Sequence, residues 1–278
     1  MRGVLAAIAL CLLALAASGC GERSEPTGTT VSLYPVSVTS ATGATTKLDA
    51  PPRRILAVGA DMQATLKALG VGNRTVSGPA EAVPGNRPDL VTTWSSSPEA
   101  SALSKAPPGT AVYVASDRTI ADVQRSLADL GVLVGRPLQG SILAQRVDRS
   151  VRRVRLRLRA AQPVSVFLDT GFFATVPRGS LADQILTAAG GHNVITTAAA
   201  NTPVNVSELR RLDPRYYLAT SGSGTTLRTL QQDRQAAKLS AVRAKRFAVV
   251  RSKLISAGPE VGAGVAALAR ILHPDAFR

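Results

Sequence analysis

The chain has 278 residues, of which 45% are hydrophobic, and a formal net charge of +15 at pH 7. That apolar content is sufficient for one large or two small domains. Its two cysteines, Cys11 and Cys20, both lie within the first twenty residues, which excludes a disulfide inside the rest of the chain.

The N-terminal segment predicts export. Arg2 precedes fourteen apolar residues at 4–17, a run that suits the h-region of a signal peptide and is too short to span a bilayer. The sequence Ala-Ser-Gly-Cys at 17–20 resembles a lipobox. We therefore expect residues 1–19 to be a signal peptide and Cys20 to carry lipid, the only covalently bound group. The alternative is an ordinary secretory signal with an incidental cysteine.

Residues 20–30 are rich in turn formers, and we expect them to form a flexible tether. A pI near 11 would indicate nucleic acid in a cytoplasmic protein. An exported protein meets lipid headgroups, envelope polymers and small anions instead. We therefore expect a basic body held near its membrane through lipidated Cys20, with no nucleic acid partner.

Residues 31–136 read as a first α/β lobe. The segment 34–48 alternates around a turn and predicts a hairpin. Asp61 is expected to cap a helix that Gly70 ends. Apolar runs and helical spacing predict the remaining elements, which are strands at 55–58, 87–94 and 109–116, a further strand that ends the segment 51–78, and an amphipathic helix at 119–135.

Residues 162–278 repeat this plan as a second lobe. Ser180, with Asp183 three residues later, predicts the start of a helix that Gly190 and Gly191 close. Strands alternating with helices predict largely parallel sheets. The other expected elements are strands at 163–169 and 245–250, a helix and a strand within 206–220, and a helix at 264–272.

The segment between the lobes, 137–161, contains seven arginines between positions 146 and 159. Its apolar residues recur at intervals of three and four, which predicts one long connecting helix with the arginines toward solvent. Contact of these arginines with headgroups or an acidic partner remains an alternative. The apolar positions are Leu143, Val147, Val151, Val154 and Leu158. The predicted fold class is α/β, with two Rossmann-like lobes joined by one long interdomain helix.

Five stretches carry a resemblance to a known family. They are the hairpin followed by "PPRRILAV", then "ALGVGNR", "AGGHNV", "SELRRLDP" and the closing "LHP". Together they cover residues 34–278 and are similar to the substrate-binding proteins of ABC importers for iron-siderophores, haem and cobalamin. The resemblance implies capture of a metal chelate or macrocycle between the lobes, followed by docking on a permease driven by ATP hydrolysis in other subunits.

Two features depart from that family. Only eight residues separate "TVSG" from "RPDLV", so the first lobe looks trimmed. The glutamates with which the family pairs permease arginines fall on Ala64 and Gln184, which makes docking uncertain.

Ligands of open α/β sheets meet the loops at the carboxyl ends of strands. Aromatic candidates at such positions are Trp94, Phe172 and Phe173, whose rings suit aryl groups or a macrocycle. Cationic candidates for an anionic chelate are Arg118, Arg178 and Lys253. For each candidate, an ordinary core ring or surface cation is the alternative, and the polar loop 220–226 is either a further contact or a simple turn.

Catalysis finds little support. His192 and His273 have no partner at metal-ligand spacing, and neither a P-loop nor a G-x-S-x-G motif occurs. We expect no enzyme and no metal site, but a monomeric lipoprotein that captures a ferric siderophore or related iron chelate. Haem or cobalamin are alternative cargoes. The alternative class is an envelope lipoprotein of the same fold that binds a protein or envelope partner.

Overall fold

A computed structural model describes residues 33–40, 43–196 and 203–278. The expected signal peptide, the lipidated Cys20 and the tether lie outside the described residues. The chain from Tyr34 to Arg278 forms one compact unit. Among the described residues, no helix is long and apolar enough to cross a membrane.

The first lobe contains a hairpin, one parallel sheet and three helices. The hairpin pairs β1 (Val36–Thr39) with β2 (Thr45–Leu48), and the sheet has the strand order β4-β3-β5-β6. Its strands are β3 (Ile55–Ala57), β4 (Thr75–Ser77), β5 (Leu90–Trp94) and β6 (Ala111–Ala115), and the helices are α1 (Ala60–Ala68), α2 (Val83–Asn86) and α3 (Ile120–Leu133).

The second lobe has a parallel sheet of order β10-β9-β7-β8. Its strands are β7 (Val164–Asp169), β8 (Gly191–Asn193), β9 (Tyr216–Thr220) and β10 (Phe247–Val250). One long helix, α4 (Pro137–Arg157), joins the lobes, and five helices complete the second one: α5 (Leu181–Ala188), α6 (Val206–Leu212), α7 (Leu227–Gln232), α8 (Ser240–Arg243) and α9 (Val261–Leu272). The predicted α/β fold class is therefore confirmed.

Helix α4 holds the two lobes together. Leu143, Val147 and Val154 are buried in a single apolar cluster that also contains residues of both sheets. Neighbouring helices approach α4 closely at glycines, since a Cβ on Gly140 would lie 2.6 Å from a carbonyl oxygen of α3 and one on Gly262 of α9 would lie 3.0 Å from the Val147 Cα. The connection between the lobes is therefore a packed strut.

Local details differ from the sequence-based expectations at several points. Asp61 does not cap α1, because Gly59 occupies the N-cap position and Asp61 lies in the first turn. Helix α4 ends at Arg157, so the last residues of the segment 137–161 lie beyond it. Gly190, at φ 80°, follows α5, whereas Gly191 belongs to β8. Helices α2, α7 and α8 were not predicted.

Candidate functional site

A cavity of about 760 Å³ opens between the lobes at the carboxyl ends of the strands. The first lobe lines it with residues that follow β3, β5 and β6, and the second with residues that follow β7 and β10. This is the position where open parallel sheets bind ligands. Much of the lining is hydroxyl and carboxylate, from Asp61, Ser95, Ser96, Asp117, Thr170, Thr175 and Ser256.

Asp117 organises the first-lobe wall. Its carboxylate is buried, with the residue 4% exposed, and it accepts hydrogen bonds from the hydroxyls of Ser95 and Ser96 and from the Ser96 backbone N–H at 3.0 Å. A buried carboxylate needs such donors to offset its loss of hydration. The loops after β5 and β6 are thereby tied together and face the cavity as one surface.

Asp61 adds a second carboxylate to the same wall. Desolvation raises its pKa, the negative charge of Asp117 raises it further, and a hydrogen bond with Ser256 opposes the shift. Ser256 belongs to the second lobe, so Asp61 faces it across the cavity. Within the described part of the chain, no ion pair includes Asp61 or Asp117. Together with Arg118, which also lines the cavity, these two carboxylates give the first-lobe wall a net negative charge.

Asp169 fixes the second-lobe loops. This residue is fully buried at the end of β7, and its carboxylate accepts hydrogen bonds from the Gly171 N–H at 2.8 Å, the Tyr217 hydroxyl at 2.8 Å and the Thr225 hydroxyl at 2.6 Å. Burial, followed by the charge of Asp169, raises the pKa of Tyr217, which stays a donor. Asp169 therefore joins the loop after β7 to the loop after β9.

The loop after β7 is a tight turn with two strained residues. Phe172 and Phe173 occupy its centre at φ 52° and 59°, and the Ala174 N–H donates to the Gly171 carbonyl at 2.8 Å. A non-glycine residue in this region costs about 1–3 kcal/mol and persists where the surroundings impose it. Here the imposed geometry turns the Phe172 ring outward, leaving this residue 88% exposed.

A direct hydrogen bond closes one flank of the cavity. The Gln184 side chain on α5 donates from Nε2 to the Arg118 carbonyl at 2.7 Å and to the Gly179 carbonyl at 2.9 Å. Arg118 belongs to the first lobe and Gln184 to the second. Gln184 therefore ties the lobes together, whereas Ala64, the other expected docking position, is exposed beside a separate groove.

The structure separates the three aromatic candidates. Trp94 is only 3% exposed and packs in the main core, and its indole N–H has no hydrogen-bond partner among the described residues. Phe173 is partly buried against a second-lobe cluster. Neither these two rings nor Phe172 belong to the cavity lining. Trp94 was expected at the cleft surface, but its strand is covered on both faces, so the ring lies in the core.

The cationic candidates also differ in their position relative to the cavity. Arg118 is exposed and lines the cavity. Arg178 is exposed beside the lining residues Pro177 and Gly179 but does not line the cavity itself. Lys253 is paired with Glu260 at 2.9 Å, outside the lining.

The polar loop and the histidines have other surroundings. In the loop 220–226, the Thr225 hydroxyl donates a hydrogen bond to the Asp169 carboxylate. His192 is exposed on β8, and the His273 ring lies 3.0 Å from the Gly190 carbonyl. No group of three or more potential metal ligands occurs within the described ranges.

Sequence reasoning missed the carboxylates of the site. Asp169 ends the apolar strand "VSVFLD", and Asp117 follows the apolar strand in "AVYVASD", which is where ligand-facing polar groups are expected. The residues predicted to hold an anionic chelate were the cations Arg118, Arg178 and Lys253, and these acids were not among them. The position after each strand was the usable signal.

Two parallel sheets bridged by one long helix, with a cavity at their facing strand ends, define a bilobal binding protein. The sequence model of the family described as "Periplasmic binding protein" matches residues 27–254. This match covers most of the chain, and the protein belongs to that family. No curated protein matches the sequence significantly.

Solved structures agree on the fold. CeuE of Helicobacter pylori, in a Ni-His complex, superposes with a TM-score of 0.76 at 17% identity, covering 87% of this chain and 90% of that one. The periplasmic haem-binding protein RhuT of Roseiflexus sp. RS-1 gives 0.70 at 20% identity, with 81% and 99% covered. An ABC-type Fe3+-hydroxamate transport system protein of Saccharomonospora viridis gives 0.69 at 18% identity, with 86% and 99% covered.

Proposed function

We propose that this protein is an exported, lipid-anchored monomer that captures a ferric siderophore between its lobes and delivers it to an ABC importer. The observation that carries the proposal is the cavity of about 760 Å³ at the strand ends. A volume of this size suits a compact small-molecule ligand. Structural neighbours described as binding haem or as part of Fe3+-hydroxamate transport support the cargo class, and lipid on Cys20 supplies the anchor.

The charge of the lining favours a particular kind of chelate. Asp61 and Asp117 face the cavity, and Arg118 is the cation that lines it. A polyanionic chelate would meet two carboxylates there, and like charges repel in a partly desolvated site. We therefore infer a neutral or cationic chelate, such as a trihydroxamate, whose amide and ammonium groups donate to carboxylates and hydroxyls.

A titration tests the proposal. The chain from residue 21 would be titrated with a cationic and a neutral ferric trihydroxamate, a trianionic ferric tris-catecholate, haem and cobalamin. Trp94, the sole tryptophan, immediately precedes Ser95 of the lining and reports binding by fluorescence. A ligand specific for the folded state stabilises it by about 2.7 kcal/mol at one hundred times its Kd.

Saturable quenching with a raised melting temperature for a ferric trihydroxamate is the expected result. Binding of haem or cobalamin alone would reassign the cargo within the same class of protein. Absence of binding by all five probes would contradict the proposal.

One observation favours a second role. Gln184 is engaged between the lobes, and Ala64 carries no charge, so neither supplies the glutamate with which the family docks its permease. A member without these groups suits an envelope lipoprotein that binds another partner. Binding of a permease encoded beside this chain, measured with purified components, decides between the two roles.

A further inference from the structure

The outward face of α4 carries a pattern that ligand capture does not use. Leu138 and Leu156 are 74% and 70% exposed, among the most exposed large apolar residues of the described chain. They are 18 residues apart, which is five full helical turns at 3.6 residues per turn, so both lie on one line along α4. That line is opposite the buried Val147 and Val154.

Arginines flank this line on both sides at its C-terminal half. At 100° per residue, Arg152 and Arg155 lie on one side of Leu156, and Arg146, Arg153 and Arg157 lie on the other. Arg159 follows just beyond the end of the helix. Arg149 lies near the line itself, and all seven are exposed. We call this surface, formed by the seven arginines with Leu138 and Leu156, the arginine face.

Most of its charges have no acidic neighbour. Arg152 pairs with Asp148 on the same helix, and Arg157 lies over the Phe277 ring at 5.5 Å. For the other five arginines, no ion pair occurs within the described ranges. These guanidinium groups remain available to external anions, and phosphate is the anion that their planar donor fork fits well.

The form of the surface separates its possible partners. It is a ridge along one helix about 32 Å long (21 residues at 1.5 Å each). Leu138 and Leu156 are exposed on its outer line, and arginines lie on both sides. A bilayer surface offers phosphates beside an apolar interior, so arginines can bind headgroups while leucines enter the interface. A polyacidic chain or a nucleic acid backbone offers charges without an adjoining apolar region, so it would use the arginines and leave the leucines exposed.

The tether permits this contact. The fourteen residues from Cys20 to Leu33 are joined by thirteen Cα–Cα steps, which span at most about 45 Å when fully extended. Tyr34, near the start of the described chain, donates its hydroxyl to the Leu133 carbonyl at 2.9 Å, shortly before α4 begins, so a body anchored at Cys20 can lay this helix on the membrane. Only this step rests on the lipid anchor of the proposed function.

We propose that the arginine face is a docking surface for an anionic lipid bilayer. The apolar stripe of α4 is buried in the core, so the helix lies on the headgroups instead of embedding. Contact through these arginines, five of which have no ion-pair or ring partner within the described ranges, holds the body against the membrane in a defined orientation.

Vesicle binding tests the surface without the lipid anchor. The chain from residue 21 keeps the whole compact unit Tyr34–Arg278 and would be sedimented with vesicles of phosphatidylcholine alone or mixed with phosphatidylglycerol. Binding is expected to the anionic vesicles only, and to weaken as salt rises from low to physiological strength. Replacing Arg149, Arg153 and Arg155 with glutamine should weaken it roughly 100-fold.

Two further variants make the test specific. Replacing Arg228, Arg234 and Arg243, exposed arginines of the second lobe, removes the same charge elsewhere and should weaken binding far less. Leu156→Ser should cause a few-fold loss with no change in charge, and thermal melting verifies that each variant is folded.

Equal binding to neutral vesicles, or equal losses in the two triple variants, would overturn the proposal. So would binding to polyglutamate or DNA without binding to anionic vesicles. None of these outcomes affects ligand capture, which the chelate titration measures separately.

Discussion

The interlobe cavity and the arginine face carry opposite charges in opposite surroundings. Asp117 and Asp169 are buried beside the cavity, and each is surrounded by hydroxyl and N–H donors. The arginines of α4 are exposed, and most have no ion-pair partner within the described ranges. The net charge of +15 therefore describes the outside of the molecule and misrepresents its cavity.

This contrast shows that a charge contributes to structure according to its access to water. A buried carboxylate accepts hydrogen bonds from surrounding donors, and these donors are left without an acceptor if the carboxylate is removed. An exposed guanidinium is already hydrated, so its removal changes stability little and long-range attraction more. The two regions should therefore respond very differently to loss of charge.

Asp169→Ala should have the largest effect. The change strands the Tyr217 hydroxyl, the Thr225 hydroxyl and the Gly171 N–H, and we expect the free energy of unfolding to fall by about 3 kcal/mol. Chemical denaturation measures the loss. Asp275→Ala is the control, because that exposed residue makes only a surface ion pair with Arg278. Equal losses would mean that burial of Asp169 has no energetic consequence.

Gly140→Ala tests the inner side of α4, opposite the arginine face. The added Cβ would lie 2.6 Å from the Leu127 carbonyl oxygen, so α3 and α4 must separate. Overpacking of this kind costs about 1–3 kcal/mol of unfolding free energy. Gly85→Ala in α2 is the matched control, since its Cβ meets nothing within 4 Å and it should be neutral or stabilising. If Gly140→Ala left the unfolding free energy unchanged, the interface between α3 and α4 would have room for an added methyl group.

Asp61→Asn should have a smaller, pH-dependent effect. Because desolvation raises the pKa of Asp61 in the folded state, that state binds its proton more tightly than the unfolded chain, and this contribution to stability falls as pH rises above about 4. The asparagine variant escapes that loss, so its melting temperature should exceed the wild-type value at pH 7 and converge with it near pH 3. A difference that grows on acidification would contradict the assigned direction.

The exposure of the α4 arginines could be predicted from the sequence, but the buried carboxylates beside the cavity could not. The intervals between Leu143, Val147 and Val154 placed the arginines of α4 in solvent, because helical periodicity is a local property of the chain. The burial of Trp94 and the hydrogen bonds of Asp169 depend on residues far apart in sequence, such as Tyr217 and Thr225. Such contacts form only after the sheet order is set, and no local pattern encodes them.

The smallest effect is expected for the triple replacement of Arg149, Arg153 and Arg157 with glutamine. All three are exposed and lie outside the cavity lining. Arg157 lies over the Phe277 ring at 5.5 Å and donates to the Ala276 carbonyl at 3.2 Å, and Arg149 makes a long hydrogen bond of 3.5 Å to Gln145. Exposed pairs and cation–π contacts contribute about 1 kcal/mol or less, so the unfolding free energy should change by no more than that. Chelate affinity should be unchanged, as measured by tryptophan quenching. A larger loss of stability would mean that these arginines support the fold. Removal of exposed charges would then destabilise the protein much as removal of buried ones does.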